Sequence, residues 1–230
     1  MIREIRIQSC LIVTVLLLLN VTYGCREKQI DLPGTMRDID GNVYKTIKIG
    51  NQVWMSENLR VMRYRNGTVI PCLSSYSEWS GASIGLCTDY EFLEDESKGK
   101  LYNWYAVEAY SGHHLAPEGW HIPSKSEWQE LIMNLGGTNI AGSMMKDTLF
   151  WRPVGFSAKD VSGFGAVPAG ERNANGHFVS LGEQAFFWSS SIDSDYLYYR
   201  TSVIVFGESD NVQFFGSHPL HGYSVRCVKD

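Results

Sequence analysis

The sequence predicts an α+β fold: a single domain of short helices and antiparallel sheets. Three observations lead there. After residue 34, turn dipeptides divide the chain into short alternating segments rich in Val, Ile, Tyr and Trp, the pattern of hairpin strands. Ser124–Gly137 repeats its apolar residues at helical spacing between a capping-box pattern and a Gly-Gly stop. From Trp151 onward, glycine turns again separate strand-like runs. Helices in the middle, with strands before and after, give α+β.

The N-terminus reads as a targeting segment. Arg3 and Arg6 precede an apolar run, Cys10–Asn20. A membrane span takes about 20 apolar residues, and this run is shorter. It matches the apolar core of a signal peptide, about 7–15 residues long. Asn20 and Thr22 close it and Arg26, Glu27 and Lys28 follow, which disfavours a retained membrane helix. Val21–Cys25 resembles a bacterial lipoprotein box, in which Cys25 becomes the acylated first residue. Thr22 departs from that pattern, where an aliphatic residue is usual, and ordinary cleavage after Gly24 is the alternative. The expected organisation is a signal peptide over 1–24, a tether over 25–34 and one domain over 35–230. The expected location is the outer membrane or cell surface, held by lipid on Cys25, with a periplasmic or secreted protein as the alternative.

Within the domain, Asp40-Gly41 and Gly50-Asn51 separate expected strands near Arg37–Ile39, Val43–Ile49 and Gln52–Asn58. Residues 63–99 read as a long polar, irregular excursion with an acidic patch at Glu91, Glu94, Asp95 and Glu96. Leu101–Ala109 reads as a short helix whose face carries Leu101, Trp104, Tyr105 and Glu108. The firmest helix starts at Ser124, three residues before Glu127, continues through Trp128, Leu131, Ile132 and Leu135, and stops at Gly136-Gly137. Asn139–Asp147 suggests another short helix. A glycine-rich run, Gly163–Gly170, leads to a turn at Asn173–Gly176. Strands are expected at Phe186–Ser191, Tyr196–Phe206, Val212–Phe215 and Tyr223–Val228.

The composition bounds the partners. With 7 Trp, 12 Tyr, 10 Phe and 22 Gly in 230 residues, the chain has the means for an aromatic core and many turns. The formal net charge of −5 becomes −6 without residues 1–24, which take Arg3, Glu4 and Arg6 with them. An acidic surface disfavours nucleic acid, whose phosphates require a basic patch. Besides Cys10 and Cys25 the chain holds Cys72, Cys87 and Cys227, so an oxidising compartment leaves one unpaired. A Cys72–Cys87 bridge closes a loop of about 15 residues, worth roughly 3 kcal/mol; Cys87–Cys227 is the competing pair. No CxxC signals a redox site or a zinc ribbon.

Six motifs in order, DIDGNVYKTIKIGNQVWMSENLR, GKLYNWYAV, LAPEGWHIPSKSEWQELI, FGAVPAGERNANGHF, FFWSSS and GYSVRCVKD, span nearly all of residues 35–230. Together they resemble the Fibrobacter succinogenes major paralogous domain, found in many exported lipoproteins of Fibrobacter and Bacteroidetes. The resemblance implies an exported, often lipid-anchored domain. It also implies a fold of the C-type-lectin-like group, which contains the formylglycine-generating-enzyme-like domains. It brings no general biochemical activity with it.

The chemistry-bearing residues offer no catalytic signature. Formylglycine-generating enzymes use two closely spaced cysteines; here Cys227 stands alone in an alternating strand, where buried packing is expected. Calcium-dependent lectins use an acidic-Pro loop and a Trp-Asn-Asp strand. This chain has Val167-Pro168-Ala169-Gly170-Glu171 and Trp188-Ser189-Ser190-Ser191 instead, and hydroxyls are poor Ca²⁺ ligands beside carboxylates. His113, His114, His121, His218 and His221 lack the spacing of a metal site, so no metal is expected. No cofactor fingerprint, P-loop or nucleophile elbow occurs. Glu171 and Arg172 suggest a structural ion pair. Tyr196, Tyr198, Tyr199, Phe214 and Phe215 fall on adjacent expected strands: mostly core, with some available as a stacking surface for a glycan or protein ligand. The balance favours a non-enzymatic binding module of the cell envelope over an enzyme with an unrecognised cleft.

Overall fold

A computed structural model describes residues 34–90, 98–108, 112–152 and 158–230. Cys25, the expected targeting segment, most of the expected tether and the acidic patch at Glu91, Glu94, Asp95 and Glu96 lie outside the described residues. Within them the molecule is mostly antiparallel sheet with a few short helices, an α+β arrangement. No described helix is long and apolar enough to cross a membrane.

The larger sheet begins with β1 (Thr35–Arg37), β2 (Val43–Ile49) and β3 (Gln52–Met55). Gly50, at φ +60°, makes the turn that pairs Ile47 with Trp54. The sheet is completed from far along the chain. β12 (Val228–Lys229) pairs with β3 through Trp54, and β6 (Trp120–His121) closes the other edge, giving the order β1-β2-β3-β12-β6. A second sheet runs β11-β10-β9, from β9 (Gln184–Ile192), β10 (Arg200–Phe206) and β11 (Val212–Ser217).

The extended segment Tyr223–Cys227 joins the two sheets. Ser224 exchanges backbone bonds with Phe186 and Trp188 of β9, while the carbonyls of Val225 and Cys227 accept from Leu59 and Met55. The expected strand Tyr223–Val228 is thus real as extended chain, but regular ladder pairing is confined to its end, because successive residues bond to different partners.

The helix α3 (Lys125–Asn134) has both halves of the capping box: Ser124 Oγ accepts from Glu127 N, and the Glu127 carboxylate accepts from Ser124 N. Its inward Trp128 packs 4.8 Å from Trp54 and 5.5 Å from Phe187. α4 (Ala141–Met145) follows as a single turn.

Three expectations are corrected. Leu101 lies not on a helix but in β5 (Leu101–Tyr102), and Asn103 then caps a helix α2 of only four residues, Trp104–Val107. The excursion over 63–99 carries structure of its own: α1 (Tyr76–Ser80), capped by Ser75, and β4 (Cys87–Thr88), paired with β5. Trp79 of α1 is fully buried and donates from Nε1 to the Leu220 carbonyl. The strand expected from Tyr196 begins only at Arg200, since Asp193 captures the preceding residues in a turn. The remaining hairpin, β7 (Glu171–Arg172) with β8 (Phe178–Val179), flanks α1.

Two buried guanidinium groups hold loops to these sheets. Arg226 donates from Nε to Asn58 Oδ1 (2.6 Å), from Nη1 to the carbonyls of Met55 (3.1 Å) and Phe164 (2.6 Å), and from Nη2 to that of Gly165 (2.8 Å). It stacks 4.7 Å from the Phe164 ring. Burial lowers its pKa to about 9, so it remains charged at neutral pH. Arg172 does the same for the excursion, donating to the carbonyls of Leu73, Ser74, Ser75 and Gly176. The expected Glu171–Arg172 ion pair is therefore not formed as such. Strand alternation sends Arg172 inward, and Glu171 turns the other way to His221.

Candidate functional site

The end of the β9-β10-β11 sheet presents its aromatic side chains to solvent. After β9, Asp193 Oδ1 accepts from the backbone N–H of both Asp195 and Tyr196, each at 2.9 Å. This Asx turn is what ends the strand. Tyr199 N then donates to the Tyr196 carbonyl (2.8 Å), closing a second turn. The exposures are 67% for Tyr196, 80% for Leu197 and 62% for Tyr198, with Tyr199 and Phe215 also exposed. The expectation that these rings are mostly core is corrected: only Phe214 packs, partly buried, on the core. A run of large apolar side chains in water calls for an explanation, since scattered single ones do not.

The loop is held in place by polar contacts at its base. Arg200 Nη1 donates to the Leu197 carbonyl (2.8 Å), and the guanidinium lies 4.3 Å from the Trp104 ring. His218 Nδ1 accepts from Leu220 N, which leaves the proton on Nε2 to be donated to Tyr198 Oη (2.8 Å). Burial, with His221 nearby, lowers the His218 pKa and favours this neutral form. Tyr196 and Tyr199 meet at 88°, with centroids 6.1 Å apart, and form an open corner.

Beside that corner lies a groove of about 350 Å³. Tyr196, Tyr199 and Phe215 line it with Asp193, Asp195 and Lys125. Gly216 forms part of its floor: a Cβ there would lie 2.9 Å from Asp193 Oδ2 and 3.3 Å from Tyr199 Cβ. Lys125 Nζ sits 5.8 Å from the Phe214 ring. The bulge at Ser189–Ser191 places Lys125 here, because Ser191 Oγ accepts from its backbone N–H and Ser190 N donates to the Pro123 carbonyl. Aromatic faces, carboxylates and an ammonium thus share one concave surface.

Other polar groups cluster elsewhere. Glu171 Oε2 bonds His221 Nδ1 at 2.5 Å, and Tyr223 Oη donates to Ser217 Oγ (2.9 Å), which pairs with Ser202 Oγ (2.8 Å). His121 bridges Glu127 and Asp230, 2.6 Å from each. His113 stacks on Tyr64, 4.9 Å between centroids. No three His, Cys, Asp or Glu among the described residues are grouped to hold a metal. Cys72 and Cys87 are bonded to each other, with Cα atoms 4.4 Å apart, and Cys227 is a buried free thiol whose pKa is pushed up by burial.

The sequence thus named the groove's tyrosines and Phe215, but not Asp193, Asp195, Lys125 or Gly216. The Asp193-Ser194-Asp195 run before the tyrosines was the available signal, being a turn former where a strand was expected.

No curated protein and no solved structure matches the chain. The family model described as the Fibrobacter succinogenes major domain matches residues 47–229, which takes in the β9-β10-β11 sheet, the corner, the groove and the larger sheet from the end of β2 onward. The chain therefore belongs to the Fibrobacter succinogenes major domain family.

Proposed function

We propose that this protein is an exported binding module of the bacterial cell envelope, lipid-anchored through Cys25 after removal of residues 1–24, and that the Tyr196–Tyr199 corner with its groove is the face it presents to a glycan or protein ligand. The exposed aromatic loop carries this reading. Arg200, His218 and Asp193 hold three tyrosines in water instead of letting them collapse onto the core, and rigid presentation of aromatic rings lowers the ordering cost of binding. The finer fold we assign is C-type-lectin-like, close to the formylglycine-generating-enzyme-like domains. Its support is that the N-terminal strands β1–β3 and the last strand β12 share one sheet, β12 pairing with β3, with α3 packed on it.

Two measurements test the reading. Intact mass of the protein extracted from its native membrane should show an N-terminal Cys25 carrying diacyl or triacyl mass, lost in Cys25→Ala. The released Cys25→Ala protein should bind envelope fractions, and Tyr199→Ala should weaken that binding. An unmodified N-terminus refutes the anchor, and envelope binding indifferent to Tyr199 refutes the contact face.

One observation favours a second reading, an enzyme on the same scaffold. Glu171 fixes His221 through Nδ1, which leaves Nε2 as a base. Hydrolysis of nitrophenyl ester or glycoside substrates, lost in His221→Ala, would establish it.

A further inference from the structure

We propose that the groove beside Asp193–Tyr199 takes a neutral polysaccharide, with one sugar ring seated in the corner between Tyr196 and Tyr199; this rests on the reading of that surface as the ligand-contact face. A pyranose has two kinds of surface, an apolar C–H face and a rim of hydroxyls that both donate and accept. The corner supplies the first complement. Two rings at 88° give a floor and a wall, so a flat ring resting on one is flanked by the other.

The groove supplies the second. Asp195 accepts from Ser194 Oγ at 3.3 Å, the longest of its turn's bonds, and its side is open to solvent. The Lys125 ammonium lies over the face of Phe214, 5.8 Å from its centroid. Acceptor and donor therefore share the groove with the rings, which suits hydroxyls of both roles.

The charges select against the alternatives. Two carboxylates face one ammonium, and the whole chain carries −5, so an acidic polymer meets net repulsion. The same carboxylates oppose insertion of the Tyr196–Tyr199 loop into an anionic bilayer, despite the apolar tip at Leu197. The volume of about 350 Å³ lies at the small end of ligand sites, right for one ring of a chain that continues into solvent. Gly216 keeps that space open. Its backbone is not in the left-handed region, so a side chain there adds bulk without backbone strain, though it must displace the Asp193 carboxylate.

The test is native affinity electrophoresis of the full chain carrying Cys25→Ala, in gels containing laminarin, hydroxyethylcellulose, xylan or glucomannan. Polygalacturonate gels and flotation with phosphatidylcholine–phosphatidylglycerol vesicles provide the comparison. At least one neutral polysaccharide should retard the protein. Tyr199→Ala should weaken the retardation about tenfold and Tyr199→Phe should keep most of it, as expected for ring stacking. Gly216→Ala should weaken it as well, since the added Cβ takes up groove space and displaces the Asp193 carboxylate. Retardation by none of the four, binding only to polygalacturonate or vesicles, or binding untouched by Tyr199→Ala overturns the proposal. If envelope binding still depends on Tyr199 while no neutral polysaccharide binds, the contact face stands and the saccharide falls. If envelope binding fails as well, both fall.

Discussion

Replacing Arg226 by Met should cost this protein a large part of its stability although Met fills much of the same space. Arg226 satisfies four acceptors, three of them in buried bonds (Asn58 Oδ1 and the carbonyls of Met55 and Phe164) and one, the Gly165 carbonyl, in a part-buried bond. Met keeps the apolar contact with Phe164 and leaves all four acceptors without a donor. An unsatisfied buried acceptor costs about 1–3 kcal/mol, so the three buried ones alone give about 3–9 kcal/mol before the part-buried Gly165 carbonyl is counted. Part of this is returned because a buried charge no longer has to be desolvated, which gives a net loss of about 3–5 kcal/mol. For a domain of this size, 4 kcal/mol lowers the melting temperature by about 8–16 °C. Calorimetry and urea titration of the Met and Lys variants would read it. Lys retains the charge and three donors without the planar fork, and should lose roughly half as much. A loss under about 1 kcal/mol for Met would refute the argument. Arg226 would then be filling volume, and its four hydrogen bonds would contribute nothing net.

Ser124→Ala removes one half of the capping box and should cost about 1 kcal/mol, or about 2–4 °C in melting temperature. Reducing the Cys72–Cys87 bond opens a loop of sequence separation 15 and should cost about 3 kcal/mol, read as a drop in urea midpoint with dithiothreitol. His121 gives a pH dependence. Burial opposes its charge, but its bonds with Asp230 and Glu127 prevail and raise its pKa above 6.5. Its stabilisation is therefore fully present below about pH 6.5 and lost as pH rises through the raised value. Melting temperatures from pH 5.5 to 8.5 should fall more steeply in the native protein than in His121→Gln, and parallel curves would contradict this.

Where local chemistry decides, the sequence was legible. Val43–Ile49 is the strand its alternation and turns announce, and α3 begins at the box that Ser124 and Glu127 spell. The reading ran out where a distant partner decides. Arg172, Arg226 and Lys146 are all fully buried, yet charged residues are normally surface residues. Nothing near them in sequence announces that their partners are backbone carbonyls, up to 171 residues away for Arg226 and Met55. Trp79 is a milder case. One large indole in a polar stretch was a hint that the excursion folds back onto the domain, and its partner, the Leu220 carbonyl, is 141 residues on. The tyrosine corner was misread for the opposite reason, because a local Asx turn at Asp193 overrides the alternation that continues through Tyr196 and Tyr198.

The segment Tyr223–Lys229 has a kinetic consequence. It pairs with β9, β5, β3 and β6 and with the stretch after β3, so it forms the shared wall of the structure. Until those residues are present, the hairpin of β2 and β3 has a bare edge, and Arg226 is missing from beneath the loop at Phe164–Gly165. Early pairing cannot close the domain, because its decisive contacts have the longest loops to close. The domain therefore closes only once residues 223–229 are available to pair. Its exposed edge during that interval is the point at which a chaperone would have to act.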